Sequence, residues 1–186
     1  MNFDFVIIGG GMVGLTIAHQ LIEKDISINI CIVDKETSLG AHSSGRNSGV
    51  LHAGIYYKPG STRAKVCIDG AKRLKQWIDY KKLPIKNCGK IIVPQKYELD
   101  NQIDNLYNRG IKNGAVVEII DQKQISELAP YVVSSSGRAL WSPKTSVVNP
   151  ISIIKSLEND LKSKGITFLY GESDLVIQNR EKKIHL

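Results

Sequence analysis

Gly9, Gly11 and Gly14 stand directly after an apolar run at 3–8 and open a segment with helical spacing. Residues of this type at this spacing can bring a pyrophosphate against a helix N-terminus. Gly9 permits the tight turn, Gly11 lets the backbone approach the phosphates, and Gly14 lets helix and strand pack closely. The free N–H groups and positive dipole end at Met12 and Val13 then meet the phosphate charge. Asp34 lies 20 residues after Gly14 and closes a second apolar run. A carboxylate there can accept hydrogen bonds from both hydroxyls of an adenosine ribose. It also disfavours a 2′-phosphate, which argues against NADP. On these residues alone, NAD and FAD both stay open.

The elements that must position these groups follow from periodicity. Residues 3–8 and 26–33 read as buried strands. Between them a helix over 12–23 carries Val13, Ile17, Leu21 and Ile22 at helical spacing. Strand, glycine turn, helix and strand make one βαβ unit with a parallel pair. Residues 35–60 hold no long periodic segment and are rich in Gly, Ser, Asn and His. A loop of this length inside a compact domain is usually functional or disordered, and short polar residues alternating with glycine favour the functional reading. A long helix is expected over 61–82, capped by Ser61 or Thr62. Its apolar stripe is Ala64, Cys67, Ile68, Ala71, Leu74, Trp77 and Ile78, which makes Trp77 a core residue.

Past Pro84, short strands at 88–94, 116–120, 138–142 and 146–148 mix with helices at 97–113 and 122–128. This reads as an inserted α+β element. A helix over 150–164 starts at Pro150 with Asn149 as its cap, and Gly165 closes it. Strands at 166–170 and 175–178 follow, then a turn at 181–183 and a returning strand from Ile184. A chain that stops inside a hairpin leaves an unpaired edge. The sequence is therefore expected to be an N-terminal fragment.

Composition sets the outer bounds. Apolar residues make up 42% and charged residues 23% of the 186, which excludes collagen-like, mucin-like and wholly disordered chains. The formal charge is +7. The excess sits in 58–90, where ten Lys/Arg face only Asp69 and Asp79. That stretch reads as a solvated helix face. No zinc-finger spacing or aromatic-interleaved RNA motif accompanies it, so no nucleic-acid partner is expected. Cys31, Cys67 and Cys88 are widely spaced without a C-x-x-C, which fits a reducing compartment. No basic region precedes the first apolar run, and 5–18 is too short and glycine-rich to span a bilayer. A cytoplasmic location is expected, with peripheral attachment at the inner face of the membrane left open. His19 and His42 lack partners at metal-ligand spacing, so no metal is expected. There is no P-loop and no G-x-S-x-G elbow.

The segment Ser43-Ser44-Gly45-Arg46-Asn47-Ser48-Gly49-Val50-Leu51-His52-Ala53-Gly54-Ile55-Tyr56-Tyr57-Lys58-Pro59-Gly60 carries a resemblance. It is similar to the loop after the first βαβ unit in the D-amino-acid-oxidase-like superfamily of flavoenzymes. More narrowly it resembles the L-2-hydroxyglutarate oxidase/dehydrogenase branch, where "NSGV-(I/L)-H-(S/A)-G-(I/F)-YY" follows the fingerprint. The likeness continues through 61–71 and returns at Ala139-Leu140-Trp141-Ser142-Pro143-Lys144-Thr145-Ser146-Val147-Val148. Departures are Arg46 for a common His, Asp34 for the usual Glu, and Ser146 and Asn149 for Gly and Asp.

The resemblance implies an α/β fold: a Rossmann-like FAD-binding domain with a parallel sheet and an inserted α+β portion of a substrate domain, truncated. It assigns 1–84 and 149–186 to the FAD-binding domain and 85–148 to the substrate domain. It implies FAD held by Gly9, Gly11, Met12, Val13, Gly14, Asp34, Lys35, Ser43, Ser44, Gly45, Arg46, Asn47, Ser48 and Gly49. Leu175 is expected against the adenine. The hydroxyl, amide and guanidinium donors of 43–48 suit a pyrophosphate or an isoalloxazine edge.

The implied reaction is oxidation of a small 2-hydroxy acid, with L-2-hydroxyglutarate to 2-oxoglutarate as lead, by hydride transfer to flavin N5. His52 is the catalytic candidate, since a neutral imidazole can take the hydroxyl proton. It can equally orient flavin without proton transfer. Tyr56 and Tyr57 are candidates for the substrate pocket or for core packing. Electrons would pass to oxygen or a membrane quinone. Amino-acid, glycerol-3-phosphate or sarcosine-like oxidation is the alternative within the superfamily. An inactive nucleotide-binding fragment is the alternative outside it, and residues 1–186 alone are expected to bind FAD weakly.

Overall fold

A computed structural model describes residues 2–173, 175, 178–180 and 183–185. The chain divides into two compact units, 1–47 with 150–186, and 48–149.

The first unit is built on a parallel three-stranded sheet of β1 (Phe5–Ile8), β2 (Ile30–Asp34) and β9 (Thr167–Tyr170), with β2 in the centre. Phe5 pairs with Ile30, and Cys31 with Thr167. Ile30, Cys31, Ile32 and Val33 are all buried, as a central parallel strand covered on both faces requires. Helices α1 (Met12–Lys24) and α5 (Pro150–Ser163) pack on each other. Leu15, Ala18 and Ile22 of α1 are buried, as are Ile153, Ile154, Leu157 and Leu161 of α5. Lys164, just past α5, reaches Glu23 at 3.0 Å and ties the two helices at their far ends. The βαβ topology and the helix from Pro150 stand as expected, but β1 is not the buried strand expected: Phe5, Val6 and Ile8 are exposed, since β1 is an edge strand of the sheet. Of the expected α1 stripe, Val13 and Ile17 are exposed and Ile22 is buried, because Leu15, Ala18 and Ile22 form the packed face.

Strand β2 begins at Ile30, four residues later than the expected 26. Asp25 explains the difference. Its carboxylate accepts hydrogen bonds from the Ser27 N–H at 2.9 Å and the Ser27 hydroxyl at 2.6 Å, which turns the chain before the strand starts. Residues 176 and 177 of the expected strand at 175–178 lie outside the described residues, as do 181 and 182 of the expected turn. The hairpin itself is present: β10 (Gln178–Arg180) pairs antiparallel with β11 (Lys183–His185).

The second unit holds two antiparallel sheets. In one, β8 (Ser146–Val148) lies between β3 (Val50–Leu51) and β4 (Ile85–Lys86). In the other, β7 (Arg138–Ser142) lies between β5 (Lys90–Ile92) and β6 (Glu118–Asp121). Helix α3 (Asn101–Lys112) buries Ile103 with Ile55, Val117 and Leu140. Helix α4 (Gln122–Leu128) starts on a full capping box between Asp121 and Gln124 and buries Ile125. Helix α2 (Thr62–Tyr80) is capped by Ser61, whose hydroxyl accepts the Ala64 N–H. Of its expected stripe only Ala64 and Ile78 are fully buried, and Trp77 is half-buried.

The compact units differ from the expected domains over 48–84 and at Asn149. The sequence reading joins 48–84 to the FAD-binding domain, whereas these residues form one compact unit with 85–149. The cause is strand pairing. Val50 and Leu51 pair with Val147 and Ser146, and Ile85 and Lys86 pair with Val148 and Val147, so one strand gathers both segments.

Gly89 shows how tightly the second unit is packed. It has φ +69, and a Cβ there would lie 1.9 Å from the Trp141 ring. Replacing Gly89 with Ala should destabilise this unit by about 1–3 kcal/mol through overpacking. A thermal unfolding curve indistinguishable from the parent would contradict that packing.

Candidate functional site

In the first unit, the strand ends meet the start of α1 around a cleft of about 530 Å³. Gly9, Gly11, Asp34, Lys35, Ser43, Ser44 and Leu175 line it. The glycine turn, the strand-end carboxylate, the serine loop and the segment after β9 are thus brought to one place.

Close approach explains the glycines. A Cβ on Gly14 would sit 2.0 Å from the Gly9 carbonyl oxygen, so only glycine lets α1 rise directly from the end of β1. Helix α1 has no acidic residue in its first turn, so its positive end is left uncompensated by its own side chains. Ser44 is folded over that end, and its hydroxyl accepts the Met12 N–H at 3.0 Å.

Asp34 is tied on both sides. One carboxylate oxygen accepts the Gly10 N–H at 2.7 Å, and the other accepts the Glu36 N–H at 2.9 Å. Each oxygen keeps a second lone pair for a ligand hydroxyl. The Asp34 carbonyl also accepts the Glu172 N–H, which pins the segment after β9 beside the strand end.

The remaining loop residues have structural partners. The Asn47 side-chain amide donates to the carbonyls of Ser43 and Ser44 at 3.1 and 2.9 Å and braces the loop. Gly45 packs where a Cβ would lie 2.2 Å from the Gly40 carbonyl oxygen. Met12, Val13, Gly14, Gly45, Arg46 and Asn47 belong to this unit without lining its cleft. The sequence reading missed Gly40, Ala41, His42, Glu172 and Ser173 as lining residues. Only their adjacency to Ser43 and Leu175 could have suggested them.

Ser48, Gly49, His52, Tyr56 and Tyr57 belong to the second unit. There His52 and Tyr56 meet edge to face, with ring centroids 6.1 Å apart. Lys90, unremarked as a site residue in the sequence, completes the group. Its ammonium donates to the Tyr56 hydroxyl at 2.6 Å and stands 4.5 Å from the ring centroid. Partial burial and the nearby Lys90 charge both push the His52 pKa below its ordinary 6.5. Asn113 fixes the turn that carries Tyr56. Its amide donates to the carbonyls of Gly54 and Tyr57 at 2.8 and 2.9 Å. Among the described residues no group of His, Cys, Asp and Glu could hold a metal ion, and no helix is long and apolar enough to cross a membrane.

The profile of the FAD-dependent oxidoreductase family (DAO) matches residues 4–185. The chain belongs to this family. It is 40% identical over 165 residues to the mitochondrial L-2-hydroxyglutarate dehydrogenase of Caenorhabditis briggsae, covering 88% of this chain and 38% of the relative. The human protein of the same name is 38% identical over 165 residues, covering 88% and 35%. The chain therefore spans little more than a third of these relatives. Among solved structures it is similar to dithionite-reduced L-α-glycerophosphate oxidase from Mycoplasma pneumoniae with FAD bound. That match has a TM-score of 0.83 and 25% identity over 95% of this chain and 47% of the other. Glycine oxidase from Geobacillus kaustophilus shares the fold at TM-score 0.86 and 17% identity.

The family's cofactor is FAD, and the cleft of the first unit fits a dinucleotide. An uncompensated helix N-terminus suits a pyrophosphate, the free lone pairs of Asp34 suit ribose hydroxyls, and the glycine turn admits a phosphate to backbone distance.

Two measurements check this geometry. Asp34→Ala removes both backbone anchors and the ribose acceptor together. It should weaken FAD binding by at least about tenfold, given about 1.5–3 kcal/mol for a hydrogen bond to a charged group; unchanged affinity by flavin fluorescence would count against the assignment. An NMR titration of the His52 ring should give a midpoint below 6.5. Because the folded-state pKa is the lower one, the His52 contribution to stability is complete above 6.5 and is lost as pH falls through the folded midpoint.

Proposed function

We propose that this chain forms the dinucleotide-binding part, and a portion of the substrate-binding part, of an FAD-dependent oxidoreductase acting on a small 2-hydroxy acid. L-2-hydroxyglutarate, oxidised to 2-oxoglutarate, is the lead substrate. The observation that carries the reading is the 38–40% identity over 87–88% of this chain to L-2-hydroxyglutarate dehydrogenases. The dinucleotide cleft described above supports it.

The flavin, when bound, supplies the acceptor for the hydride that leaves the substrate Cα. Gly9, Gly11 and the start of α1 receive the pyrophosphate, and Asp34 receives the ribose. Ser43 and Ser44 close over the phosphates, and Leu175 borders the adenine. Of the neighbouring groups, Lys35, Arg46, Ser48 and Gly49 are assigned supporting contacts to the cofactor.

His52 accepts the hydroxyl proton of the substrate at an imidazole nitrogen as the C–H bond breaks. The alcohol thereby loses a hydride and a proton and becomes the ketone. A pKa held below its ordinary value keeps the ring neutral near pH 7, so a nitrogen lone pair is available without prior deprotonation. Tyr56 and Tyr57 border the substrate. The electrons pass on to oxygen or a membrane quinone.

The likeness to L-α-glycerophosphate oxidase at 25% identity favours polyol-phosphate oxidation as the second reading. An anaerobic absorbance spectrum separates the two. It is recorded on this chain and on this chain co-expressed with the remaining portion of a curated relative. Flavin bands that bleach with L-2-hydroxyglutarate, about 10²–10⁴-fold more slowly in His52→Gln, are expected. Bleaching by glycerol 3-phosphate alone would replace the 2-hydroxy acid reading with the second one.

A further inference from the structure

Lys90 is positioned more firmly than a surface lysine. It opens β5 and pairs with Ser142 of β7. The preceding Gly89 N–H donates to the Thr145 carbonyl at 3.0 Å. Ser142 and Thr145 are buried, with their hydroxyls 2.9 Å apart, so the backbone under Lys90 rests on a packed polar pair. The side chain is half-buried and ends on Tyr56.

The chemistry of that contact is directional. An ammonium has donors only, so the Tyr56 oxygen must accept from it. The phenolic proton is therefore left to donate elsewhere. Among the described residues the Lys90 ammonium contacts Tyr56, and an ammonium carries two N–H donors beyond the one that bond uses. A cation and a polarised phenol thus stand side by side, next to the His52 ring. The matching ligand is an anion with paired oxygens, and a carboxylate offers one oxygen to each donor.

We infer that Lys90 and Tyr56 form a clamp for the substrate carboxylate beside His52. This rests on the 2-hydroxy acid reading and deepens it. In such a substrate the carboxylate is bonded to the carbon that bears the hydroxyl. Holding one therefore presents the other to a neighbouring base. The clamp makes Lys90 a substrate-binding residue and Tyr56 its partner, and it selects for acids over neutral alcohols.

The test is an NMR titration of the full chain with 2-oxoglutarate, following the His52 and Tyr56 ring resonances. Controls are dimethyl 2-oxoglutarate, which lacks the charges, and glycerol 3-phosphate. A saturable shift with the acid and none with the ester is expected. Lys90→Met should weaken binding about tenfold or more, the loss of one charge-assisted hydrogen bond. Lys90→Arg keeps the charge, should weaken binding less, and serves if the Met variant fails to fold. Unchanged affinity in Lys90→Met, equal binding of the ester, or no shift in the parent chain would overturn the clamp. Equal, Lys90-dependent binding of glycerol 3-phosphate would overturn the carboxylate assignment. Flavin bleaching is scored separately. A chain whose flavin bleaches with L-2-hydroxyglutarate but whose Lys90 variants bind the acid normally keeps the function and loses the clamp.

Discussion

The Gly9 carbonyl and the Gly14 Cα approach so closely that any side chain at Gly14 would penetrate the backbone. This contact lets α1 begin immediately above the end of β1. Its consequences spread through the first unit. The helix N-terminus comes to the carboxyl edge of the sheet, where Gly10 reaches Asp34 on the neighbouring strand. Ser44 can then fold onto Met12, and the loop that carries Ser43 and Ser44 becomes the wall of the cleft. A larger residue at Gly14 would lift the helix and separate all of these groups together.

Asp34 shows how one side chain serves architecture and recognition together. Its oxygens accept backbone N–H groups from the glycine turn and from the chain just beyond β2. These bonds hold the carboxylate in one orientation. A ribose bound there as proposed would meet acceptors that are already aimed, so less ordering would be required. Aspartate is one methylene shorter than glutamate. The shorter arm suits a carboxylate held against the Gly10 N–H.

The second unit works by a different device. Its polar group is assembled from sequence-distant segments: the loop at 52–57, the start of β5, and Asn113 at the end of α3. Asn113 fixes the turn between Gly54 and Tyr57, and the strand pair β5–β7 fixes Lys90. Partial burial, and after it the Lys90 charge, lower the pKa of the His52 imidazole, and the Lys90 ammonium leaves the phenolic proton of Tyr56 to donate elsewhere.

The sequence alone determined the elements whose cause is local. A strand ending in Gly9-x-Gly11-x-x-Gly14, a helix from Pro150, and a short helix over 122–128 each carry their reason within a few residues. The dinucleotide chemistry was legible for the same reason, since turn, helix start and strand-end acid sit in one βαβ unit. Only the tertiary structure decided that residues 48–84 join 85–149, because that choice rests on β8 pairing with both β3 and β4. The same holds for Lys90, which lies 34 positions from Tyr56 and yet donates to it. Hydrogen bonds and pairings between distant segments leave no periodicity or spacing to read, and the fold alone brings such partners together.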